Sequence, residues 1–201
     1  MAEQDRQADL ILDKALAIAE KNSWENMRLH DIAAELDISL DTIRKYYSQK
    51  DDLVEAWYDR ADKAMLDYAH QIQSQSQDMP ARYTAIIMSW LQALAAHRKV
   101  SGDMLLYKLE PGHFHLQALG LLRISRTVQW FIEAAGSQTT HLLRIAEEIA
   151  LTSIYLATFA YWLRDNSTGS EKTRQFLSRR LKQADLLAST FQQSKTKPVT
   201  E

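Results

Sequence analysis

Apolar side chains recur along this chain at steps of three and four residues, in long segments rather than in the two-residue alternation of a half-buried strand. Five glycines and three prolines leave few interruptions. The pattern predicts an all-α protein of about nine helices. The first runs from Glu3 to Asn22, with Leu10, Ile11, Lys14, Ala15, Ile18 and Ala19 on or beside one face. Two short helices follow, Asp31 to Leu36 and Leu40 to Tyr47. A long one begins near Lys50, with Ser48 as N-cap and Asp51 and Asp52 in its first turn. Five more are expected over Ala81–His97, Val100–Leu109, Phe114–Ala135, Thr140–Arg164 and Ser170–Gln193, several of them parted by the turn-forming runs EPGH, GSQT and DNSTGS. Residues 195–201 read as a disordered tail.

The two short helices are separated by only three residues. Ile32, Leu36, Ile38, Ile43 and Tyr46 fall where a helix-turn-helix must bury them, and Ala33 falls where the helices cross too closely for a larger side chain. Asp37 stands at the turn position that favours a left-handed backbone, which aspartate tolerates at some cost. Ser39 caps the second helix, with Asp41 and Thr42 behind it. The outward set Leu40, Asp41, Thr42, Arg44 and Lys45 is what a major groove would meet if the pair binds double-stranded DNA, although any two short helices packed together show the same pattern.

Charge complicates that picture. The whole chain carries a net −2, which gives no global attraction to nucleic acid. Residues 1–50 hold seven basic against ten acidic side chains, a net −3. Phosphate contacts dominate DNA affinity, so an acidic head opposes binding unless Arg28, Arg44, Lys45 and Lys50 gather on one face. The chain has no cysteine, which excludes disulfides and thiolate metal sites, and its polar, acidic start lacks the form of a signal peptide. A cytoplasmic location is expected. The apolar run IALTSIYLATFAYWL, residues 149–163, is too short to span a membrane and contains Thr152, Ser153 and Thr158, so it reads as a helix buried in protein.

Catalytic machinery is not visible. There is no glycine-rich phosphate loop and no Gly-x-Ser-x-Gly elbow, and the pairs Asp51–Asp52 and Glu147–Glu148 are adjacent residues that a helix points apart. His113 and His115 in PGHFHL read as loop histidines rather than metal ligands. Neither an enzyme nor a bound metal or cofactor is expected.

The run RLHDIAAELDISLDTIRKYYSQKDDLVEAW, preceded by ALAIAEKNSWENM, resembles the DNA-binding head of the TetR family of transcriptional regulators. The likeness lies in Ile32–Ala33, Ser39, Thr42, Tyr46–Tyr47, Lys50 and Leu53, and covers residues 8 to 60. It implies a DNA-binding domain over 1–50, a ligand-binding and dimerisation domain over 51–194, and repression of an operator relieved by a small apolar ligand. It also implies that Tyr46 and Lys50 touch phosphates. Two positions depart from the family pattern: Asp37 replaces the turn glycine, and Arg44 replaces a tyrosine in the recognition helix. Arginine there suits a guanine edge or a phosphate. The resemblance further implies a homodimer through the helices at about 140–164 and 170–193, the first of which is apolar almost all round.

A second resemblance covers the C-terminal run YLATFAYWLRDNSTGSEKTRQFLSRRLKQADLL and the earlier WYDRADKAML. These are similar to the lipid-binding accessory proteins of coenzyme Q biosynthesis, which share the TetR fold, and imply a lipid-like ligand and no regulatory role. Both resemblances imply an apolar cavity. Its lining would come from among Met65, Trp90, Leu94, Met104, Tyr107, Phe114, Trp130, Phe131, Tyr155 and Phe159, most of which serve as ordinary core.

Overall fold

A computed structural model describes the backbone of residues 2–75, 77–109 and 114–196, and the side chains of residues 3–75, 77–107 and 120–190. Among these residues there are nine α-helices: α1 (Ala2–Asn22), α2 (Leu29–Leu36), α3 (Leu40–Tyr46), α4 (Lys50–Ile72), α5 (Met79–Ala93), α6 (Arg98–Leu109), α7 (Phe114–Ala135), α8 (His141–Trp162) and α9 (Glu171–Thr196). Single 3₁₀ turns lie at Ala95–His97 and Thr168–Ser170. The chain is all-α, as its periodicity predicts, and no helix among the described residues is long and apolar enough to cross a membrane. His113, the side chains of Phe114 and His115, and residues 197–201 of the expected tail lie outside the described residues.

Helix ends fall within four residues of those expected from the sequence, and two helix starts are held by acids inside the helix. Helix α2 starts two residues early, because the Asp31 carboxylate reaches back to the backbone N–H of Arg28 (3.0 Å) and so satisfies a donor ahead of the helix. Helix α4 is capped in the same way: the Asp52 carboxylate accepts from the N–H groups of Ser48 (2.8 Å) and Gln49 (3.2 Å). The cap is therefore an acid inside the helix, where the sequence suggested the Ser48 hydroxyl outside it.

The contacts divide into two compact units. The first comprises Met1–Ala64 with Gln92–Arg123. Here α1 packs on α2 and α6, and α2 on α3. The apolar face of α1 buries Ile11, Leu12, Ala15, Leu16 and Ala19, leaving Leu10 and Lys14 at its edge. Arg60 of α4 forks onto two carboxylates of α1, Asp13 (2.6 Å) and Asp9 (2.7 Å). Buried Ser101 of α6 joins the next part of α4, accepting from Trp57 Nε1 (2.9 Å) on its hydroxyl and from the Tyr58 hydroxyl (2.8 Å) on its carbonyl. Arg123 is buried and bonds Asp62 (2.7 Å) and Asp59 while its guanidinium lies over the Tyr58 ring.

The second unit comprises Met65–Leu91 with Ile124–Glu201. Its core is aromatic: the rings of Trp90, Phe131, Tyr155, Phe159 and Trp162 meet edge-on or tilted at centroid distances of 5.4 to 6.3 Å. Gly136 ends α7 at φ 68°, a left-handed residue that lets Ser137 N–H bond the Ile132 carbonyl (3.3 Å). Glu147 then ties the α7–α8 turn to α5, accepting from Tyr83 Oη (2.7 Å), Ser137 Oγ (2.9 Å) and Thr139 Oγ1. Burial, together with the bond to Glu147, raises the Tyr83 pKa well above the usual phenol range.

Helices α8 and α9 pack along each other, and the DNS run between them has one organising group, Asp165. Its buried carboxylate accepts from Ser167 N–H (2.8 Å) and Oγ (2.6 Å) and from Thr173 N–H (2.8 Å) and Oγ1 (2.6 Å). Burial alone would raise its pKa, but these four donors outweigh it and hold the group below the usual carboxylate value of 3.8. We expect Asp165→Ala to cost about 3 kcal/mol in chemical denaturation, by orphaning buried donors. The folded pKa is depressed, so the wild-type margin over this variant should be complete above pH 3.8 and shrink as pH falls toward the folded pKa.

Candidate nucleic-acid interface

The corner between α2 and α3 is made by one left-handed residue. Asp37 has φ 51° and ψ 46°, and its N–H and that of Ile38 close the end of α2 onto Ala34 O (3.5 Å) and Ala33 O (3.0 Å). Ser39 is extended, and its hydroxyl accepts from Thr42 N–H (3.0 Å) and bonds Thr42 Oγ1 (2.9 Å), so α3 starts on a side-chain cap. Ile32, Ala33 and Ile43 are buried across the corner, while Leu36 and Ile38 are half-buried.

One assignment is corrected. Tyr46 stays half-buried, and it is Tyr47 that enters the core. Helix α3 ends at Tyr46; Tyr47 is extended, at φ −135°, and its hydroxyl donates to Ala8 O of α1 (3.1 Å). Burial, with Asp9 and Asp13 nearby and Arg60 opposing, pushes its pKa up to about 12.

The outward face of α3 carries Leu40, Asp41, Arg44 and Lys45, all exposed, with Ser39 exposed before it and Thr42 half-buried between them. Arg44 and Lys45 are not free charges. Both pair with Asp41, at 3.7 Å and 3.4 Å, over the three- and four-residue steps of one helix. That pairing is legible in the sequence from the spacing alone. Such exposed pairs are worth little, so neither cation is held firmly by Asp41. Arg28 is exposed and precedes α2.

Lys50 keeps other company. Its ammonium donates to the carbonyls of Trp24 (2.6 Å), Glu25 (3.0 Å) and Met27 (2.7 Å), all in the turn between α1 and α2. Burial lowers its pKa, with Glu25 and Asp31 opposing. The acidic balance of the head also changes when read in space, because Asp9 and Asp13 pair with Arg60, a cation beyond residue 50.

The candidate ligand residues divide. In the first unit Met104 and Leu94 are buried and Tyr107 is half-buried, its ring facing the Lys50 ammonium. In the second, Trp90, Phe131, Tyr155 and Phe159 form the aromatic cluster, Met65 is buried, and Trp130 is 42% exposed. A cavity of about 470 Å³ opens at the α8–α9 corner, lined by Ala157, Ala160, Tyr161, Arg164, Asp165, Asn166 and Lys172.

Among solved structures, the chain is similar to a TetR transcriptional regulator from Nitrosomonas europaea ATCC 19718, with 46% identity, 90% of this chain and 99% of that one covered, and a TM-score of 0.78. It shares its fold with a TetR transcriptional regulator from Rhodococcus sp. RHA1 at 14% identity, with 90% and 97% of the two chains covered and a TM-score of 0.64. It also shares it with a bacterial regulatory protein of the tetR family from Rhodococcus RHA1, at 20% identity, 88% and 96% coverage and a TM-score of 0.53. The COQ9 family model matches residues 120–188. Comparison with curated proteins finds no match.

The corner makes its own prediction. Ser39→Ala should cost about 1 kcal/mol through loss of the cap, and Asp37→Gly should gain about 0.5–1 kcal/mol by removing left-handed strain. Urea denaturation of the two variants reads both signs.

Proposed function

This chain belongs to the TetR family of transcriptional regulators, and we propose that it acts in the cytoplasm as a homodimeric repressor that reads operator DNA through α2 and α3 and is released by a small apolar ligand. The observation that carries this reading is the capped recognition helix with Leu40, Asp41, Arg44 and Lys45 exposed on its outward face and Thr42 half-buried between them. On DNA, Arg44 and Lys45 exchange the Asp41 carboxylate for phosphate or base-edge acceptors, and Asp41 becomes free to accept from a cytosine amine. Dimerisation is supported by apolar side chains left facing water on the last two helices. Leu142 is 80% exposed and Ile145 and Ile149 follow it at helical steps on α8; Leu186 is 68% exposed beside Leu187 on α9. A monomer seldom leaves so much apolar surface uncovered.

A second reading has its own support. The COQ9 match spans α7 to α9, and the head it leaves out is acidic by sequence. On that reading the protein is a lipid-binding accessory protein that keeps the helix-turn-helix only as part of its fold.

Fluorescence anisotropy with the DNA upstream of the protein's own gene separates the two. A repressor binds that DNA more tightly than random sequence, with affinity falling steeply as salt rises. An accessory protein shows no sequence preference at low ionic strength and carries extractable lipid through purification. Arg44→Ala should weaken the preferred sequence by about tenfold or more while changing random DNA less. Sedimentation should find a dimer at low micromolar concentration, and Leu142→Glu or Ile149→Glu should weaken it about a hundredfold by placing a charge in the apolar stripe. A well-folded wild-type monomer at that concentration removes the repressor mechanism.

A further inference from the structure

Lys50 and the turn it binds bracket every residue of the reading head. The carbonyls of Trp24, Glu25 and Met27 lie immediately before α2, and Lys50 opens α4 immediately after α3. Arg28, the α2–α3 corner and the whole outward face of α3 lie on the loop between these two points. An ammonium has three protons and no other donors. Here three carbonyls sit at 2.6, 3.0 and 2.7 Å from it. Two rings flank the group: Trp24, with its centroid 5.1 Å from Nζ, and Tyr107 of α6, at 5.7 Å. Trp24 is fully buried, and its Nε1–H meets no acceptor among the described residues. The indole thus sits where its face serves the cation and its own polar handle goes unpaired, an arrangement that costs stability and needs a local return.

We propose that Lys50 is a positioning residue that closes the base of the helix-turn-helix loop, holding α2 and α3 in register with α4, and that it makes no phosphate contact of its own. To reach a phosphate with more than the proton that meets the exposed Glu25 carbonyl, it must give up a short bond to the partly buried carbonyl of Trp24 or Met27. Tyr107 is the second wall of this closure rather than part of a ligand pocket. The DNA consequences rest on the repressor reading above; the consequences for the free protein do not.

The test compares wild type with Lys50→Met, which keeps the stem and loses the donors, with Lys50→Gln as a milder second variant, and with Tyr107→Leu. Without DNA, all three should lower Tm, Lys50→Met by about 5 °C, and should speed amide hydrogen exchange at residues 24–36 by tenfold or more while α8 and α9 keep their protection. With DNA, measured well below each Tm, Lys50→Gln should lose operator affinity more than random-DNA affinity, because the reading helix is misplaced. The slope of log affinity against log salt should be unchanged. A phosphate contact predicts the opposite in each respect: equal loss on both DNAs, a slope flatter by about one, and wild-type Tm and exchange. That pattern overturns the proposal, as does a lowered Tm with an unchanged operator-to-random ratio. If the wild-type protein selects no DNA, the repressor reading fails. The exchange arm then decides alone: wild-type exchange at residues 24–36 in both Lys50 variants overturns the closure, and local acceleration there supports it.

Discussion

An ammonium group taken partly out of water must be met by acceptors on every proton, and in this protein one turn meets all three. The residues between α1 and α2 aim their carbonyls at Lys50 rather than at solvent, and buried Trp24 and Met27 anchor that turn in the core. The remaining head geometry follows from it. With the ends of the loop joined, the corner at Asp37 and the packing of Ile32, Ala33 and Ile43 set the angle of α2 and α3, and the cap at Ser39 sets where α3 begins. What is left facing outward is one side of a seven-residue helix, with Leu40, Asp41, Arg44 and Lys45 on it.

The cations of the first unit are sorted by this logic. Arg60 holds two acids of α1, Arg123 is buried against acids of α4, and Lys50 is turned into a backbone turn. Among the described residues Arg44 and Lys45 pair with Asp41, on the same exposed helix, where the bond is weak enough to exchange. Net charge over residues 1–50 therefore describes the interface poorly. Two of its acids are answered by a residue ten positions beyond the count, and one of its cations does not face outward.

The same contrast marks what the sequence could and could not disclose. Helical periodicity, the left-handed Asp37, the Ser39 cap and the tight crossing at Ala33 are local, each set by a residue and its neighbours within a turn or two, and all are legible without coordinates. The partners of Lys50 lie 23 to 26 residues away and are main-chain atoms, which have no letter in a sequence. The exchange of roles between Tyr46 and Tyr47 turned on where α3 stops, a one-residue question that decides which ring faces α1. For the second unit, an aromatic stripe at helical spacing announced burial but not what it packs against. Trp90, Phe131, Tyr155 and Phe159 pack on one another, and the DNS motif, read as part of a lipid-protein resemblance, has a structural job as the Asp165 hub of the α8–α9 corner.

On the proposed function this head reads base sequence, and two copies do so together. In vitro selection of the purified protein from a pool of random duplexes tests it with no target chosen in advance. Enrichment of an inverted repeat with two equal arms is expected, as a two-fold dimer with one recognition helix per arm requires. A pool that stays random after repeated rounds at low ionic strength would contradict it.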